Sequence, residues 1–185
     1  MKLHFINSVI LLLLFTTCKK DHSDNYAGEY YIRVPLVEND KSYLNANYGS
    51  IDLAYDAFDY KTLWKFIPAG DGLYNIAVAD STSRYITDFE GWSGVYPHLL
   101  PSDASFAAHQ VFRIVRKRFT NTAYLQSNYS GKYIQLQFCS KDKRLWAELL
   151  ITVADKNYCD ANTSILSSAD ADTCYCVTNF ELVRK

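Results

Sequence analysis

Apolar and polar residues alternate along most of this chain. In Leu63-Trp64-Lys65-Phe66 the two aromatic rings flank a lysine, and in Val111-Phe112-Arg113-Ile114 an arginine takes the middle place. A period of two sends alternate side chains to opposite faces, so these stretches predict β-strands with basic residues outward. Turn-forming clusters separate them: Gly70-Asp71-Gly72, Asp80 to Ser83 and Asn128 to Gly131. Helical periodicity is scarce. Only Ser105 to Phe112 suggests one short turn.

The alternation is itself repeated. A first strand begins at Gly28-Glu29-Tyr30-Tyr31-Ile32, again at Gly72-Leu73-Tyr74-Asn75-Ile76, and again at Thr122-Ala123-Tyr124-Leu125-Gln126. After a turn come Ser42-Tyr43-Leu44, Arg84-Tyr85-Ile86 and Lys132-Tyr133-Ile134. Each unit closes on Leu63 to Phe66, Val111 to Ile114, or Asn179-Phe180-Glu181-Leu182. The spacing is 44 residues from Tyr30 to Tyr74 and 50 from Tyr74 to Tyr124. Such a period means that one supersecondary unit is reused to build a common core.

Three β units of this size resemble a β-trefoil, and more narrowly the ricin-B-like lectins, whose units end in Q-x-W. Gln110-Val111-Phe112 matches with Phe for Trp; Thr62-Leu63-Trp64 keeps the Trp; Thr178-Asn179-Phe180 keeps neither end. The resemblance covers residues 26–185, with repeats at 26–71, 72–119 and 120–185. It implies an all-β trefoil in which Trp64, Phe112 and Phe180 meet in the barrel core. The third unit is longer: 47 residues separate Tyr133 from Phe180, and the surplus at 144–177 reads as an insertion.

The same resemblance implies non-catalytic carbohydrate binding. A sugar site needs an aromatic face for the apolar side of a pyranose and fixed polar groups for its hydroxyls. The lectins place an Asp directly after the second strand, where this chain has Asn45, Thr87 and Gln135. Asp88 lies one residue on. With Trp92, Tyr96, His98 and Gln110 it forms the candidate ligand-binding set of the second unit. Asn45, Tyr48 and Tyr55 form a weaker analogue in the first unit, and Gln135, Gln137 and Trp146 in the third. The alternative is a protein-interaction or inhibitor module that uses the loops of a trefoil scaffold.

Catalytic signatures are absent from the sequence. Gly91-Trp92-Ser93-Gly94 is not G-x-S-x-G, and no zinc-protease, phosphate-loop or dinucleotide fingerprint occurs. No cofactor and no metal is expected. Arg113, Arg116, Lys117 and Arg118 read as a solvated hairpin turn, or as a salt-sensitive contact for an anionic polymer.

The N-terminus changes the setting. A basic start and a short apolar run, Val9 to Phe15, end in Leu14-Phe15-Thr16-Thr17-Cys18. This reads as a signal peptide over residues 1–17 and resembles a bacterial lipobox, with Cys18 lipidated and 18–25 as a tether. The expected location is a bacterial cell envelope, anchored to the outer membrane and facing outward. Without Lys2 the chain carries 18 basic against 20 acidic side chains, a balance that does not suggest a nucleic-acid partner. An exported chain with Cys139, Cys159, Cys174 and Cys176 is expected to form disulfides, Cys174 and Cys176 each pairing with Cys139 or Cys159.

Overall fold

A computed structural model describes residues 25–35, 41–54, 60–80, 83–88, 97–141, 144–153 and 173–185, with the backbone alone at 41–42, 137–141, 144–153 and 173–175. Three first strands, β1 (Gly28–Pro35), β5 (Leu73–Val78) and β9 (Thr122–Ser127), alternate around a ring with three last strands, β4 (Leu63–Gly70), β8 (Val111–Arg116) and β13 (Asn179–Arg184). β1 pairs β4, β4 pairs β5, β5 pairs β8, β8 pairs β9, β9 pairs β13, and β13 returns to β1. Every pairing is antiparallel, and the closed circuit leaves the barrel without a free edge. Each unit adds a hairpin: β2 (Lys41–Asn47) with β3 (Ser50–Ala54), β6 (Arg84–Thr87) with β7 (His98–Pro101), and β10 (Tyr133–Lys141) with β11 (Arg144–Val153). Six barrel strands and three hairpins in threefold order make this a β-trefoil.

The alternation explains the barrel. Along β1 the burial runs strictly by twos, so that Tyr30, Ile32 and Val34 turn inward. Trp64, Phe112 and Phe180, at equivalent positions of β4, β8 and β13, are all completely buried in one core cluster with Ile32, Ile76 and Leu125. Lys65 and Arg113 point outward. Trp64 also carries a polar duty. Its indole N–H donates to the carbonyl of Leu44 at 2.9 Å, tying the first hairpin to the barrel.

The residue two places before each core aromatic is polar and buried: Thr62, Gln110 and Thr178. Thr62 ends a 3-10 turn, Tyr60–Thr62, and Gln110 ends another, Ala107–Gln110, where the sequence suggests one short turn.

The third unit divides differently from its sequence reading. Residues 144–153 are not part of an insertion: β11 is the hairpin partner of β10, equivalent to β3 and β7. The extra material starts after Val153 and returns as β12 (Thr173–Val177), which pairs the other edge of β10. That register sets Cys139 opposite Cys174. Cys176 is buried and disulfide-bonded. Cys18 and Cys159 lie outside the described residues.

Chain direction sorts the loops. The start of β1, the end of β13, and the turns β4–β5 and β8–β9 lie together at one end of the barrel. The strands lead into the three hairpins at the other.

Candidate functional site

Asp88 directly follows β6 and is almost fully buried, at 3% exposure. Its backbone N–H donates to the carbonyl of His109 at 2.8 Å. Its own carbonyl lies 2.7 Å from His109 Nδ1; a carbonyl only accepts, so Nδ1 carries the proton. Its carboxylate Oδ2 accepts from the Ser130 hydroxyl at 2.6 Å, across the boundary to the third unit. The His109 ring lies 3.7 Å from that of Tyr129, which extends the same seam. Gln110 is buried as well. Its amide donates to Thr87 Oγ1 at 3.1 Å and to the Pro101 carbonyl at 3.0 Å. His98 is half-buried on β7, in register with Thr87.

The second-unit set is therefore partly assembled. Asp88, Gln110 and His98 gather around Thr87, at the hairpin end of the barrel. Asp88 Oδ2 and the Gln110 amide nitrogen are spent on protein partners. A buried polar group must be bonded, and these bonds lock β6, the 3-10 turn and the third unit together. Trp92 and Tyr96 lie outside the described residues.

A second arrangement sits between the first and second units. The turn joining β2 to β3 is Tyr48-Gly49, and both carbonyls are held by the second unit. The Arg84 guanidinium donates from Nη1 to the Tyr48 carbonyl, and the Leu99 N–H donates to the Gly49 carbonyl at 3.0 Å. Arg84 also ion-pairs through Nη2 with Asp80 at 2.8 Å. Arg84 thus fixes the turn while its charge is balanced by Asp80.

The result is a cleft of about 770 Å³ lined by Asn47, Tyr48, Tyr60, Lys61, Asp80 and Arg84. Clefts of this size suit small ligands. Two rings stand free in it: Tyr48 is 90% exposed and Tyr60 59%. Tyr48 has φ of +51°, in the left-handed region. A bulky side chain there is strained, and such strain collects at ligand sites. Lys61 Nζ lies 5.9 Å from the Tyr60 ring centroid. Asp52 accepts from the amides of Asn45 at 2.6 Å and Asn47 at 2.9 Å, which stiffens the hairpin beneath Tyr48.

Sequence reasoning finds Asn45 and Tyr48 as a weak first-unit analogue. Tyr55, their third member, lies outside the described residues. Tyr60, Asp80 and Arg84 are missed, because no local pattern marks an arginine as the partner of a turn 36 residues earlier. The one available signal is a tyrosine beside glycine in a hairpin turn, where Asn or Asp is the ordinary choice.

No protein-family model matches this chain, and no curated protein matches its sequence. Solved structures do. The designed threefold-symmetric protein ThreeFoil superposes with a TM-score of 0.54 at 14% identity, over 85% of this chain and 99% of that one. The cytolethal distending toxin of Haemophilus ducreyi gives 0.56 at 10% identity, over 89% and 86%. A lectin from Polyporus squamosus, solved with the epitope Neu5Aca2-6Galb1-4GlcNAc, gives 0.52 at 15% identity; it covers 85% of this chain and 49% of the lectin. At such identities the likeness establishes a shared β-trefoil fold.

Proposed function

We propose that this protein is a non-catalytic, lectin-like carbohydrate-binding protein of the bacterial envelope, anchored by lipid at Cys18. The observation that carries the reading is the Tyr48–Tyr60 cleft. It offers two exposed rings for the apolar faces of sugar rings, beside the Lys61 ammonium and the rim of the Arg84–Asp80 ion pair as polar groups for hydroxyls. The β-trefoil fold, shared with a fungal lectin, agrees with it. Fold alone does not carry function.

In this reading Asp88 and Gln110 are positioning residues. They hold β6 and β7, the strands on either side of the segment with Trp92 and Tyr96, and that segment is a second place for a sugar to stack. The anchor and the disulfides belong to the same proposal. Directly opposed positions of antiparallel strands bring Cα atoms within disulfide range, so the register favours Cys139 with Cys174 and leaves Cys159 for Cys176. A non-reducing peptide map tests that pairing.

The function is tested by a glycan-binding screen on the full chain, with Tyr48→Ala, Tyr60→Ala and Trp92→Ala variants. Binding lost in the two tyrosine variants and kept in Trp92→Ala places the sugar in the cleft. Loss in Trp92→Ala alone moves it to the second-unit loop. No binding to neutral or acidic glycans sinks the lectin reading in favour of the protein-interaction alternative.

A further inference from the structure

The turn end of the barrel carries features that carbohydrate binding does not use. Asn25 and Tyr26, where the described chain enters the domain, line a cavity of about 470 Å³ together with Arg116 and Asn121. Asn25, the first described residue, therefore lies beside the β8–β9 turn. That turn reads Arg116-Lys117-Arg118-Phe119-Thr120-Asn121. It is well closed: the Lys117 N–H donates to the Thr122 carbonyl at 2.9 Å, and the Thr120 hydroxyl to the Lys117 carbonyl at 3.2 Å. At its tip Phe119 is fully exposed, at 103%, with φ of +62°. A phenylalanine in left-handed backbone costs strain, and its ring in water costs hydration. Nothing within the described fold offsets either. Glu29 pairs with Lys185 at 3.1 Å and Glu181 with Arg33 at 2.9 Å, while Lys117 Nζ lies 5.9 Å from the Tyr124 ring centroid.

We propose that this end of the barrel is a membrane-docking face. Phe119 enters the headgroup region of the bilayer, while Arg116, Lys117 and Arg118 lie against the phosphates of anionic phospholipids. The proposal rests on the lipid anchor at Cys18. Seven residue-to-residue steps separate Cys18 from Asn25 and reach about 25 Å when fully extended, so the turn end stays close to the headgroups. One ring and three cations bind a bilayer weakly by themselves. The anchor makes the second contact intramolecular, and a weak contact then suffices to orient the domain. Docked this way, the barrel directs its hairpin end, and with it the Tyr48–Tyr60 cleft, away from the membrane.

Amide hydrogen exchange on the full-length acylated protein tests this, comparing detergent micelles with vesicles of zwitterionic and anionic phospholipid at about three to one. Exchange across residues 117–121 is expected to slow by about fivefold or more on vesicles, with residues 48–49 unchanged. The protection is expected to fall at high salt and in an Arg118→Glu, Phe119→Ser double variant that stays on the vesicles. Both side chains are exposed, and the same exchange map verifies the fold. Unchanged exchange at 117–121 in vesicle-bound protein overturns the docking face while leaving the anchor intact. Protection by a sulfated polysaccharide in detergent, with none from vesicles, overturns it in favour of an anionic polymer. Protein that fails to float with vesicles overturns the anchor and the docking face together.

Discussion

Asp80 and Asp88 lie on either side of the same short strand, β6, and meet different neighbours. Asp88 turns into a seam between units, where Ser130, Thr87, His109 and Gln110 close around it. Asp80 pairs with Arg84 at the edge of an open cleft beside two exposed tyrosines. Both are acids flanking a strand of a repeated unit. The difference comes from what the neighbouring unit brings. The third unit presents a serine hydroxyl that bonds Asp88 and a tyrosine ring that packs on His109. The first presents a hairpin whose tip holds its ring outward. In this trefoil, polar residues on the two sides of one strand are completed by different neighbouring units.

The largest test removes the frame on which both arrangements hang. Phe112→Ala is expected to cost about 3–5 kcal/mol in chemical denaturation, because a fully buried ring leaves a cavity in a close-packed core. A loss below about 1 kcal/mol contradicts the barrel packing described above.

Asp88→Ala comes next and bears on the comparison directly. It leaves the Ser130 hydroxyl without its acceptor in a half-buried seam, and is expected to cost about 1–2 kcal/mol. Glycan affinity at the cleft is expected to stay within twofold or so of the parent, since uncoupled sites add independently. A folded Asp88→Ala protein that binds glycan tenfold or so more weakly breaks the division between the two aspartates.

Tyr48→Gly sharpens the division from the other side. Glycine relieves the left-handed strain at φ +51°, so the unfolding free energy is expected to rise, by up to about 1 kcal/mol. Losing one stacking ring is expected to weaken glycan binding by roughly tenfold, read by titration calorimetry. A variant both more stable and less able to bind marks Tyr48 as a residue kept for its ligand.

The smallest effect concerns Asp103, ahead of the 3-10 turn that carries Gln110. The Ser105 N–H and hydroxyl bond its carboxylate at 2.8 and 2.7 Å, holding its pKa below the ordinary 3.8. The lowered pKa means that the folded turn favours the ionised acid. Its local support is present above the ordinary value and lost as pH falls through the folded one. Ser105 amide shifts in an acid titration are expected to move in that lower range. Movement near neutral pH refutes the assignment.

Much of the fold was legible in the sequence because its signals are local. Alternation along Tyr30 to Val34 and across Trp64 and Phe66 marks strands, and recurrence of the same order marks three units. The 3-10 turn ending at Gln110 was visible as well. The third unit was misread at β11, because polar and charged residues in Lys141 to Arg144 imitate the edge of an insertion when the hairpin partner is unknown. The second-unit set was only half legible. Chemistry alone shows that Asp88 and Gln110 are polar residues near strand ends, but not that Ser130 and Thr87 wait beside them.

By itself, then, the sequence determined an all-β chain of three self-similar units with an aromatic core, because side-chain period and repeat spacing are properties of neighbouring residues. Tertiary structure alone decided which polar residues are sealed and which face a cleft. Arg84 reaches the Tyr48 turn, and Ser130 reaches Asp88 across 42 residues, only after the barrel has closed. Those contacts depend on where separate units come to rest against one another, and no local pattern encodes that.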